Sequence, residues 1–178
     1  METGCLNDHA RRSDVRGGHV IRVGPEFAGE ALSILREAAA WALSRGVGVW
    51  ADAELREGDF LTAAELGQLL MGFCGDRPAA TMLLQSSDLV YWPDAAPNTA
   101  LYLHKIAVRR EFAGHGWLTR LIDFAVNDAR YHGIRWLRLD TLCGSPLEGL
   151  YAQHGFAALK EAPFVAGSHL MIRMEREL

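Results

Sequence analysis

Apolar positions switch between two periods along the chain, and the switches mark the elements. Ala28, Ala31, Leu32, Leu35, Ala39 and Ala42 fall three or four residues apart, the spacing that lines one face of a helix. Gly24-Pro25 precedes this run and Gly46 follows it. Proline therefore opens the helix, and glycine takes the left-handed position past its end. A short strand is expected over residues 19–23, and a weaker helix over 55–66. Residues 68–74 read as a strand, Gly75-Asp76-Arg77-Pro78 as a turn, and 80–84 as the returning hairpin partner.

The second half is patterned more strongly. Residues 100–108 form an apolar strand. Residues 115–132 form a helix with Leu118, Leu121, Ile122, Ala125 and Ala129 on one face, and Gly133 ends it before a strand over 135–140. A helix of that length between two strands makes a right-handed parallel crossover. Its first turn then sits beside the C-terminal end of the first strand, where open α/β sheets take ligands. Ser145-Pro146-Leu147-Glu148 is a capping box with proline at the first helical position. The helix it starts ends at Gly155, and residues 156–159 and 169–174 read as the last two strands. Residues 88–99, with Trp92-Pro93-Asp94 and Pro97-Asn98, form a loop long enough to favour a binding role over a plain connection.

Composition narrows the setting. The 178 residues suit one domain, and 49% hydrophobic residues can build a core without disulfides or metals. Residues 1–18 are polar and unpatterned and read as a loose leader before a domain over 19–178. A net charge of -4 gives no bulk attraction to nucleic acid or to an anionic membrane. No uninterrupted apolar stretch is long enough to span a bilayer, and the N-terminus has no signal-peptide core. Cys5, Cys74 and Cys143 are an odd number without a CxxC pair, so a disulfide framework or zinc site is not expected and a reducing cytoplasm is the simplest location. His9, His19, His132, His154 and His169 show no metal-ligand spacing, so no metal is expected. Monomer and homodimer both remain open.

The chemistry concentrates where the crossover strand meets its helix, in Val108-Arg109-Arg110-Glu111-Phe112-Ala113-Gly114-His115-Gly116-Trp117-Leu118. Free amides and the dipole of a helix start attract an anion. Gly114 and Gly116 let a phosphate approach without a Cβ in the way, and Arg109 and Arg110 add positive charge. The chain has no GxxxxGK[ST] P-loop and no full GxGxxG after the strand. An ordinary glycine turn with solvated arginines, or a nucleotide site on the same loop, fits this stretch as well.

Four further runs make the pattern specific: Leu103-His104-Lys105-Ile106-Ala107-Val108-Arg109-Arg110, Ala113-Gly114-His115-Gly116, Arg138-Leu139-Asp140, and Leu150-Tyr151-Ala152-Gln153-His154-Gly155-Phe156. In this order and at this spacing they resemble the core of the GNAT superfamily of acyl-CoA-dependent N-acyltransferases. The resemblance implies a mixed α/β fold, with a central and mostly antiparallel sheet, one parallel crossover pair and helices on both faces. It also implies an N-acetyltransferase moving an acetyl group from acetyl-CoA to a primary amine, on a small molecule or a protein, by direct transfer.

By position, the family's Q/R-x-x-G-x-G/A loop falls on Ala113, Gly116 and Leu118, and only the central glycine matches. The pyrophosphate of coenzyme A is then expected on Ala113, Gly114, His115, Gly116, Trp117 and Leu118. Its pantetheine arm is expected along the backbone of Ile106 and Val108, much as an added strand, and Ala107 and Arg109 are expected among the cofactor-binding residues as well. Tyr151 falls at the usual general-acid position, where a phenol can protonate the departing thiolate; a packed tyrosine with a satisfied hydroxyl is the other reading. His104 matches a histidine of some arylalkylamine-acetylating relatives and can take the ammonium proton, or is a hydrogen-bonded core histidine. Alternation puts Tyr102, His104 and Ile106 on one face. Gln85, Asp88, Trp92 and Asp140, with Asp94 beside them, are candidates for the acceptor. Cys143 reads as structural. Gly144 stands where the family often has asparagine. The departures at Ala113, Leu118 and Gly144 motivate an alternative, a non-catalytic acyl-CoA-binding or sensor domain.

Overall fold

The computed structural model describes residues 17–178; the expected leader, apart from Gly17 and Gly18, lies outside them. Strands β1 (Gly18–Arg22), β2 (Leu69–Cys74), β3 (Arg77–Gln85), β4 (Ala100–Val108), β5 (Trp136–Leu142), β6 (Ala157–Ala158), β7 (Phe164–Ala166) and β8 (His169–Glu177) form one sheet. Its order is β1-β2-β3-β4-β5-β8-β6, with β7 also paired to β8. Only β4 and β5 run parallel. The helices are α1 (Ala28–Ser44), α2 (Glu57–Glu65), α3 (Trp117–Tyr131) and α4 (Pro146–Gln153). The expected mixed fold with a single parallel crossover is the one observed.

The two faces of the sheet carry separate cores. Leu70, Met82, Leu84, Leu101, Leu103, Leu137 and Leu139 pack against Leu121, Ile122, Ala125 and Ala129 of α3. Leu69, Met71 and Leu83 pack on the other face against Ala31, Ile34 and Leu35 of α1 and Phe60 of α2. Central strands covered on both sides read as continuous apolar runs, which is why β2 is buried throughout. Trp117 fills the floor under the far sheet edge. A Cβ on Gly72 would stand 2.8 Å from its ring, so glycine there is a packing requirement.

Several expected boundaries moved. Residues 25–27 form a 3-10 turn before α1. β3 starts at Arg77, so the tight turn is confined to Gly75-Asp76. β7 and the hairpin it makes with β8 had no recognisable alternation in the sequence.

The main departure lies in β4. Leu83 pairs with His104 but Thr81 pairs with Ala107, so β4 carries an extra residue. Lys105 absorbs it at φ +50°, and the strand changes face there. Leu101, Leu103, Ile106 and Val108 therefore lie toward α3, whereas Ala107 lies toward α1 and Tyr102 packs with Trp92 and Ala100. The expectation that Tyr102, His104 and Ile106 share one face is overturned. A bulge breaks the period of two on which it rested.

Candidate active site

β4 and β5 pair only from Ala100–Trp136 to Tyr102–Arg138. Beyond that point β5 stays on β8 and β4 stays on β3. The two parallel strands therefore part toward their C-terminal ends, and β4 beyond Tyr102 has no ladder partner in β5. The chain leaves β4 into the start of α3, and leaves β5 into α4. Ser145 caps α4, its Oγ accepting the amide of Leu147 at 3.3 Å.

At the α3 end, Gly114 (φ +81°) and Gly116 (φ +78°) adopt the left-handed region. A Cβ on either would meet nothing within 4 Å. Gly114, His115 and Gly116 are exposed, and Gly116 is the N-cap of α3 with no side-chain cap bond. This leaves an open cradle of first-turn amides at the positive end of a helix dipole. α3 begins at Trp117 rather than at His115. Trp117 itself is buried in the core, so only its backbone is available to a ligand. Leu118 is half-buried and packs against the α3-side core. The Arg109 guanidinium is turned away, paired with Glu30 and, at 3.0 Å, with Glu37 of α1. Arg110 lies over the Trp41 ring, 3.9 Å from its centroid. The positive charge expected from Arg109 is thus committed to tethering α1, which only the tertiary structure could show.

On the opposite side of the gap a cleft of about 470 Å³ opens. Leu103, His104, Lys105 and Ile106 line it from β4, Asp140, Thr141 and Leu142 from β5, and Leu147 and Tyr151 from α4. Gln85, Asp88 and Tyr91 close one wall, and Trp50, Glu54, Arg56 and Asp59 another. Glu54, Asp59, Asp88 and Asp140 outnumber Arg56 and Lys105, so the cleft is acidic. His104, Asp140, Asp88, Gln85 and Tyr151, spread over residues 85–151 of the sequence, meet here.

Trp92 does not. It is only 6% exposed and stacks obliquely on Tyr102 at 6.0 Å, with Arg138 and Arg173 over its ring. It lines a smaller neighbouring cleft that also holds Asp94. An aromatic in a long loop gains more from burial than from solvent, and its neighbour Tyr91 lines the larger cleft instead. Tyr91, Lys105, Trp50 and Glu54 also line the cleft without having been expected there. Lys105 is hidden by the bulge, and the others by the absence of any local motif. Cys143 is not among the residues lining the cleft.

The electrostatics of the cleft follow from burial. His104 Nε2 lies 3.5 Å from Asp88 Oδ2, and Nδ1 lies 3.7 Å from Asp140 Oδ1. Burial pushes the His104 pKa down, Lys105 adds to that, and the Asp88 carboxylate opposes it. Burial, with the charge of Asp88 second, pushes Asp140 up to about 6. Burial also lowers Lys105, whose Nζ sits 5.4 Å from the Trp50 ring centroid. The Tyr151 phenol is pushed well above its ordinary value, mainly by burial and then by Asp140. One ligand atom from each of Asp88, His104 and Asp140 lies within 4.8 Å of the others, a donor set that the histidine spacings did not signal.

A family model for the acetyltransferase (GNAT) family matches residues 35–156, more than half of the chain. The chain belongs to the acetyltransferase (GNAT) family. Among curated proteins it is similar to the uncharacterized N-acetyltransferase YesJ of Bacillus subtilis (strain 168). The two are 27% identical over 140 residues, which cover 74% of this chain and 77% of the relative. Among solved structures it is similar to a GNAT-family acetyltransferase from Listeria monocytogenes 4b F2365, with a TM-score of 0.76 and 21% identity, covering 90% of this chain and 95% of the other. The PaiA N-acetyltransferase from Thermoplasma acidophilum, solved in complex with coenzyme A, matches with a TM-score of 0.71 and 14% identity, covering 90% and 99%. At those identities the structural likenesses speak for the GNAT fold. Among the described residues, no helix is long and apolar enough to cross a membrane.

Proposed function

We propose that this GNAT protein transfers an acetyl group from acetyl-CoA directly to a primary amine, and that the acceptor is a cation. The observation that carries the reading is one gap between β4 and β5 with an open helix N-terminus at one end and a half-buried imidazole and phenol beside the other. The coenzyme A complex of the Thermoplasma relative supports the donor class.

Acetyl-CoA supplies an acetyl group activated as a thioester. The glycine cradle fits its pyrophosphate, because Gly114 and Gly116 leave space that a side chain would fill. The amides from Ala113 to Leu118, including those of His115 and Trp117, would hold the phosphates. The unpaired edge of β4 at Ile106, Ala107 and Val108 would hold the pantetheine arm as an added strand, with Arg109 contributing backbone only. Backbone amides near Ile106 would polarise the thioester carbonyl. His104 would take the ammonium proton. Tyr151, kept protonated by burial, would meet the departing sulfur as a hydrogen donor. Cys143 stands outside the cleft lining, which favours direct transfer over a cysteine acyl-enzyme. Asp140, Asp88 and Glu54 favour a cationic acceptor by simple attraction, and Gln85 adds a neutral polar wall.

Thiol release from acetyl-CoA with a panel of primary amines tests this, with 2-phenylethylamine and 1,4-diaminobutane among them. Tyr151→Phe is expected to cut turnover about a hundredfold while acetyl-CoA affinity stays within about twofold. Unchanged turnover would remove Tyr151 from the mechanism. Binding of acetyl-CoA with no release across the panel would favour a binding or sensor domain.

A further inference from the structure

Asp88, His104 and Asp140 reach one point from three elements: the loop after β3, β4 and β5. Asp88 is locked before it arrives. Its Oδ1 accepts the amides of Val90 at 3.1 Å and Tyr91 at 3.0 Å. That leaves Oδ2 aimed at His104 Nε2, with no hydrogen-bond partner and a side chain only 6% exposed. Asp140 Oδ1 is likewise without a partner and faces the other ring nitrogen, on a side chain 11% exposed. Two orphaned carboxylate oxygens therefore bracket one imidazole. Such oxygens are costly to bury unless a proton or cation meets them.

We infer that Asp88 and Asp140 are positioning residues that clamp both nitrogens of His104, making the three groups a single proton acceptor for the ammonium of the incoming amine. The inference rests on the reading of His104 as the base.

A neutral imidazole has one N–H and one lone pair. With a carboxylate at each nitrogen, that lone pair faces negative charge. The arrangement is matched when the cluster holds two protons, either as imidazolium between two carboxylates or as neutral histidine with one carboxylic acid. In the step, an N–H bond of the ammonium breaks and an N–H bond of the imidazole, or an O–H bond of a carboxyl, forms. The cluster goes from a charge of minus two to minus one, and the amine becomes neutral. A single metal ion would bind one ring nitrogen. Here the two carboxylates face opposite ring nitrogens, at 3.5 and 3.7 Å, an arrangement that suits protons, while one atom from each of the three residues also falls within 4.8 Å of the others.

Other charges face the cluster. Lys105 on β4 and Arg173 on β8 oppose protonation. Glu54 and Asp59 act on Lys105 instead, favouring its charged form, although Asp59 also pairs with Arg56 at 3.1 Å. Tyr91, Tyr151 and His169 complete the cleft wall.

The deciding experiment is an NMR titration of the full chain with ring-15N-labelled histidine, His104 being assigned by its loss in His104→Gln. Asp88→Asn keeps an oxygen for the Val90 and Tyr91 amides and removes the charge. It is expected to lower the His104 pKa by about one unit or more, and Asp140→Asn is expected to shift it the same way. Turnover of 1,4-diaminobutane or 2-phenylethylamine should fall about tenfold in Asp88→Asn, with KM for acetyl-CoA unchanged. A His104 titration that stays put in both variants, with His104→Gln inactive, overturns the clamp but not the base. His104→Gln turning over like the wild type overturns the base reading, and the inference with it.

Discussion

The two ends of the β4–β5 gap are built in opposite ways. The cradle at Ala113–Leu118 is one continuous stretch whose binding groups are backbone amides, and its geometry is set by two glycines with positive φ. The cleft lined by His104 and Tyr151 is assembled from side chains on β3, β4, β5 and α4 and the segment around α2, and its geometry is set by a bulge and an Asx-type turn at Asp88. A site made of backbone tolerates the loss of side chains, so on the proposed reading the departure of Ala113 from the family's Q/R should leave the cradle able to bind. A site made of buried charges tolerates little, because each group fixes the protonation of the next.

That contrast can be broken experimentally. Substitution of Tyr151 at the cleft end should give the largest effect, about a hundredfold in turnover with acetyl-CoA affinity preserved. Gly116→Val at the cradle end should do the reverse. A β-branched residue at φ +78° is strained, and its side chain enters the space left for the phosphates. KM for acetyl-CoA is expected to rise about tenfold while turnover at saturation stays near the wild type. Turnover falling with KM unchanged would show that the cradle does not bind the donor.

The smallest effect concerns stability. Asp140 has its folded pKa raised from 3.8 to about 6. Its ionised form is therefore disfavoured by the fold. Stability is fully present below 3.8 and is lost as pH rises through about 6. Asp140→Asn removes that penalty. It should stabilise the protein by on the order of 2 kcal/mol, or about 5 °C in Tm, at pH well above 6, and by little below 3.8. An equal shift at both extremes would mean that the gain comes from packing instead. A more stable but slower variant would fit a functional group held at a cost to the fold.

The cradle end was legible in the sequence because its signals are local: small residues at a turn, a helix face in α3, a capping box at Ser145. Tyr151 was reachable through its neighbours Gly155 and Phe156. His104, Asp88 and Asp140 could be named singly, but no spacing relates residues brought together by strand pairing. The face of Ile106 was misjudged because a bulge at Lys105 leaves no mark on an apolar run. Trp92 was misplaced because a loop aromatic reads the same whether it lines a site or packs behind it, and Arg109 because its partners sit on α1, more than 70 residues away.

The most direct test of the account is a crystal structure of the protein with coenzyme A. Phosphate oxygens are expected at about 3 Å from the amides between Gly114 and Leu118, with the thiol in the β4–β5 gap beside the Tyr151 hydroxyl. Coenzyme A bound elsewhere, or with its thiol remote from Tyr151 and His104, would contradict it.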